Sequence, residues 1–126
     1  MKREEVDRFE KVTTQVQGVH DEIATLVRKS PNDGVNKFKL ALINKVLGDA
    51  NSVLGEKYRP FDSFSSFDED ELPSNSDVTF ILAQYLNCLE KFRADNISQG
   101  ISRQWEWKVA GDHRICTAPP KKLREK

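Results

Sequence analysis

Seven apolar residues near the start of the chain restrict the fold more than any other feature. Val6, Phe9, Val12, Val16, Val19, Ile23 and Leu26 recur at spacings of 3, 3, 4, 3, 4 and 3. Such spacing keeps one apolar stripe in line along an α-helix and is close to a heptad seam. It predicts a helix over about 3–29, with Thr13 and His20 as alternative members of the stripe. A narrow stripe of this kind also suits self-association, so a homodimer through this first helix is expected. Gly18 lies inside and costs about 1 kcal/mol relative to alanine. "KSPNDG" then stops the helix, because Pro31 disfavours helix at Ser30 and Asn-Asp-Gly supplies turn chemistry.

A second helix is predicted over about 35–54. Val35, Phe38, Leu42, Val46, Ala50 and Val53 form its stripe, widened by Leu40, Ile43, Leu47 and Leu54. A face this broad touches more than one neighbour. Gly55 reads as its C-terminal cap, since a glycine has no Cβ to clash at positive φ. The short turn before it predicts an antiparallel hairpin. A third helix is predicted over about 75–96, on Val78, Ile81 or Leu82, Tyr85, Leu89 and Phe92. Ser74 and Asp77 have the spacing of an N-cap and its third-residue partner.

The segment between the second and third helices, 56–74, is long, aromatic and acidic. Tyr58, Phe61, Phe64 and Phe67 recur at every third position. The rings are expected to fold over one end of the bundle and to leave Asp68, Glu69, Asp70 and Glu71 in water. Those acids lie near the positive end of the third helix dipole. They also form a candidate acidic docking loop for a basic partner. They do not suit calcium, which wants a sharply turning loop with alternate ligands and usually a glycine.

After residue 97 the periodicity changes. "ISRQWEWKV" alternates, with Ile101, Arg103, Trp105, Trp107 and Val109 on one side, as a strand does. "AGDH" would turn the chain and "RICTA" return it as a short hairpin, followed by a basic tail. A lone hairpin is marginal in water, so this one must lie against the helices or add to another sheet. The expected fold is thus mainly α. An antiparallel helical hairpin plus a third helix forms a three-helix bundle (1–97), and a C-terminal β-like arm or hairpin follows (98–126).

Composition narrows the function classes. The 126 residues suit one domain with one core. Seven Phe, two Trp and two Tyr argue against disorder. No apolar run approaches the roughly 18 residues of a membrane span, and the N-terminal stretch lacks a signal-peptide core. Two cysteines, Cys88 and Cys116, suit a reducing compartment, so the cytoplasm is the expected location. Lys and Arg balance Asp and Glu overall at 20 each, yet residues 60–90 carry seven acids and no Lys or Arg. The flanking segments are net basic, which leaves local fields for a partner to read.

No motif for catalysis stands out. There is no Gly-rich phosphate loop and no nucleophile elbow. Zinc would need His113, Cys116, His20 and Cys88 to converge. Neither an enzyme nor a cofactor is therefore expected. The arm is the better candidate, because Arg103, Trp105, Trp107, Lys108 and Arg114 combine aromatic anchors with cations. Lys121, Lys122, Arg124 and Lys126 extend the charge. The expected function is a non-catalytic protein–protein interaction module or small accessory subunit that binds through this arm. The alternative is a small nucleic-acid-binding protein that stacks bases on the same tryptophans.

Overall fold

The structure, a computed structural model, describes residues 1–111 and 114–122. Three helices, α1 (Arg3–Lys29), α2 (Lys37–Tyr58) and α3 (Asn75–Asp95), are followed by two short strands, β1 (Ile97–Gln99) and β2 (Trp105–Trp107). The helices pack against each other and the strands form a small antiparallel sheet at the C-terminal end. The expected mainly α fold is what the chain adopts.

Local chemistry sets the helix ends. Asn36 caps α2 by accepting from the Lys39 N–H at 2.8 Å. Ser74 caps α3 by accepting from the Asp77 N–H at 3.1 Å, as its spacing predicts. Gly55 has φ 64° and breaks α2 near its end, a conformation that glycine tolerates without strain. Gly34 answers a different demand. A Cβ there would meet the Leu72 carbonyl oxygen at 2.9 Å, so only glycine lets the α1–α2 turn lie against the start of α3.

Side-chain contacts give the helix directions. Arg8 Nη2 donates to Ser52 Oγ at 3.0 Å, and Glu22 pairs with Lys39 at 3.8 Å, so the start of α1 meets the end of α2. The two are antiparallel. Tyr85, midway along α3, donates to Asn51 Oδ1 at 2.7 Å, and seven residues further on in each helix Tyr58 meets the Phe92 ring at 5.1 Å. Those helices therefore run parallel.

A parallel α2–α3 pair explains the long connection. Residues 59–74 must travel back along α2, which at 1.5 Å per residue is about 33 Å long. They do so along its flank instead of covering one end of the bundle. Asn44 holds the loop in both directions, accepting from the Phe67 N–H (2.8 Å) and donating to the Phe67 carbonyl (2.9 Å). Asn51 donates to the Ser65 carbonyl at 3.1 Å. Phe61, Phe64 and Phe67 then pack edge-on in a row.

Val6, Phe9, Val12, Val16 and Ile23 of α1 are buried, and α1 packs most extensively on α3. The stripe is thus filled within one chain, and two copies meeting through α1 would have to use its outer side. In α2 the buried apolar set is Leu40, Ile43, Leu47, Ala50 and Leu54, at spacings of 3, 4, 3 and 4. Phe38 and Leu42 instead face solvent. Two apolar stripes compete on this helix, and the one with the better heptad spacing meets the neighbours. No helix among the described residues is long and apolar enough to cross a membrane.

Candidate functional site

The arm folds back onto the bundle and becomes part of its core. β1 pairs with β2 in the register Ile97↔Trp107, Ser98↔Glu106 and Gln99↔Trp105. Residues 115–117 add to the other edge of β2. The Trp107 N–H donates to the Ile115 carbonyl (2.9 Å) and the Thr117 N–H to the Trp105 carbonyl (3.0 Å). "RICTA" thus returns as expected, but the first pairing is with β1, which begins straight after α3. A boundary between 97 and 98 runs through this strand.

Pleating then decides what each tryptophan does. Trp105 and Trp107 share one face of the sheet, and that face lies on the helices. Trp107 is only 4% exposed and meets the Phe9 ring edge-on at 5.1 Å, while Phe9 stacks on Phe92 at 5.2 Å. It is therefore a core residue and not a surface anchor. Trp105 is half-buried. Arg103 leaves the strand altogether, since its φ of 64° makes it part of the tight 100–104 turn.

The remaining arm cations stay at the surface. Arg103, Lys108 and Arg114 are exposed; Lys108 Nζ donates to the Asp95 carbonyl at 3.4 Å, and Arg114 reaches Glu106 at 3.9 Å. At the tip of the turn Ile101 is fully exposed. Three bonds hold that turn: Gly100 N–H to Gln104 O, Arg103 N–H to Gly100 O, and Gln99 Nε2 to Arg103 O, each at 2.9 Å. His113, Arg124 and Lys126 lie outside the described residues.

The acidic run forms a small turn. Asp68 Oδ1 accepts from the Asp70 N–H at 2.9 Å, and Asp70 pairs with Lys37 at 3.2 Å. Asp68, Glu69, Asp70 and Glu71 are all exposed. Among the described residues no three His, Cys, Asp or Glu side chains converge as metal ligands. His20 Nδ1 lies 3.2 Å from Asp21 Oδ1, and this bond holds the Asp21 carboxyl below the ordinary range. Burial pushes the Cys88 thiol up, which makes it a poor nucleophile.

One feature of the site has no counterpart in the sequence motifs. A cleft of about 450 Å³ opens between α1, α3 and the segment 117–122. Its third wall is fixed by Arg93, an 8% exposed residue. Arg93 donates to both Glu90 carboxylate oxygens at 2.8 Å, to Thr117 Oγ1 and the Ala118 carbonyl at 2.8 Å, and to the Pro119 carbonyl at 2.9 Å. Those five bonds use all five guanidinium N–H groups. Glu90 also accepts from the Lys121 N–H at 2.8 Å. The pair is saturated and structural. Arg93 does follow Leu82, Tyr85 and Leu89 on the inner side of α3, a pattern that marks a buried cation.

Comparison with protein-family models, curated proteins and solved structures finds no match for this chain.

Proposed function

We propose that this chain is a non-catalytic protein–protein interaction module, a small accessory subunit, whose partner binds the outer end of the C-terminal arm. The observation that carries this reading is Ile101, a large apolar side chain wholly in water on a turn held by three hydrogen bonds. Covering such a side chain is worth roughly 1.5–3 kcal/mol. A turn already fixed loses little entropy when a partner docks. Arg103 and Arg114 stand in the same arm with exposed guanidinium groups, and part of Trp105 remains open. The matching partner is a protein with an apolar patch bordered by carboxylates. The acidic turn 68–71 would add electrostatic selectivity. Two free cysteines support a reducing compartment such as the cytoplasm.

Removing the arm is not a clean test, because it would take Trp107 out of the core. The better variant is Ile101→Asp with Arg103→Glu, both at exposed positions. A protein purified with the chain after nuclease treatment should rebind the isolated wild type and lose at least tenfold in affinity for the double variant, while thermal stability is kept. Equal affinity for both would refute the assignment. Capture of nuclease-sensitive material, with affinity falling steeply as salt rises, would replace it with the nucleic-acid reading.

A further inference from the structure

The cleft between α1, α3 and residues 117–122 carries a second inference, independent of the arm's outer face. Its apolar walls are Phe9, Leu86 and Leu89, with Trp107 at its inner side. Two polar atoms on residues lining it are buried without a hydrogen-bond partner: Trp107 Nε1 and Thr13 Oγ1. Buried polar groups in folded proteins are nearly always paired, so two orphans on one cleft need a reason. An indole N–H only donates. It is shielded from water, so an acceptor reaches it only as the side chains covering it shift, and the indole then gains a hydrogen bond with no desolvation cost of its own.

Charge selects further. Arg93 has no N–H left for a ligand, and Glu90 is neutralised by it. That leaves two cationic residues, Lys121 and Lys122, on one wall against one acidic residue, Glu10, on the other. The balance favours an anion. The volume of about 450 Å³ suits a compact organic molecule. The buried Glu90–Arg93 pair, costly to desolvate, then has a role in holding the third wall in place.

We propose that this cleft binds a small aromatic carboxylate. Its ring lies on the Phe9 and Leu86 side chains. Its carboxylate supplies the acceptor for the Trp107 N–H and is drawn in by Lys121 and Lys122.

The test uses the full chain labelled with ¹⁵N, whose two tryptophans give two indole N–H signals. Titration with 1-naphthoate should move the Trp107 indole signal saturably and leave that of Trp105 in place. Naphthalene-1-carboxamide keeps the acceptor but not the charge and should bind several-fold more weakly. Thr14→Phe, at an exposed position on the rim, should cut naphthoate affinity at least tenfold by filling the cleft. Lys121→Glu with Lys122→Glu should do so without touching the helices. An unmoved Trp107 signal at millimolar naphthoate would overturn the proposal. So would binding that is indifferent to both the filled and the charge-reversed cleft.

Discussion

The loop 59–74 and the arm 96–122 both leave the helices with aromatic residues, yet they attach to the bundle by different means. The loop is held by polar clasps, Asn44 on Phe67 and Asn51 on Ser65, while Phe61, Phe64 and Phe67 meet edge-on and stay half-buried, Phe64 and Phe67 resting on the rim of the core. The arm is held by insertion: Trp107 enters the core beside Phe9, and Arg93 locks the following segment. Aromatic content alone therefore does not tell how deeply a segment is committed. A row of rings on a helix flank can be lifted off by breaking a few hydrogen bonds. A single indole under a sheet cannot leave without opening the core.

This contrast is open to attack at several points. The largest effect is expected for Trp107→Ala, at about 3–5 kcal/mol of unfolding free energy, because a buried aromatic and its cavity are both lost. Urea denaturation would measure it, and a loss under 1 kcal/mol would mean that the arm only rests on the surface. Arg93→Met should cost about 3 kcal/mol by leaving Glu90 buried without its partner. Adding Glu90→Leu should restore most of that loss, whereas an arm held by simple packing would show no such recovery. Asn44→Ala should cost less, about 1–2 kcal/mol, and should loosen only the loop. Protease sensitivity between Phe61 and Glu71, with the helices intact by circular dichroism, would report it.

The smallest effect is that of pH. The bond from Tyr58, and then that from Lys91, hold the Asp95 carboxyl below the ordinary range, and His20 with Gln17 does the same for Asp21. A depressed folded-state value means that the stabilisation is present above the unfolded value and is lost as pH falls toward the folded one. Stability should be flat from neutral pH down to about 4 and then decline slightly. A decline setting in near pH 6 would point to other groups. Both carboxylates are at the surface, so salt should shrink the effect further.

Much of the fold is legible in the sequence because helices announce themselves locally. The α1 stripe, the Ser74–Asp77 cap and the break at Gly55 all follow from spacing and residue type. What is not legible depends on partners far along the chain. In α2, Phe38 and Leu42 lie on a stripe as apolar as that of Leu40, Ile43 and Leu47, and only the positions of α1 and α3 decide between them. The path of residues 59–74 follows from the parallel α2–α3 pairing, which no local pattern encodes. β1 is three residues long, too short for alternation to register. Trp105 and Trp107 do read as one strand face, but only the docked sheet shows that the face is turned inward. The saturation of Arg93 rests on acceptors 24 to 26 residues further on.

Native-state hydrogen exchange at two amides tests the account most directly. The Trp107 N–H bonds to Ile115 O within the arm, and the Phe67 N–H bonds to Asn44 Oδ1 on the loop. An amide that opens only on global unfolding exchanges with the free energy of the core, whereas one released by local opening exchanges sooner. The Trp107 amide is expected to match that of Leu89 in α3, and the Phe67 amide to exchange well before either. Exchange of Trp107 at the rate of Phe67, with Leu89 still protected, would contradict the claim that the arm is part of the core.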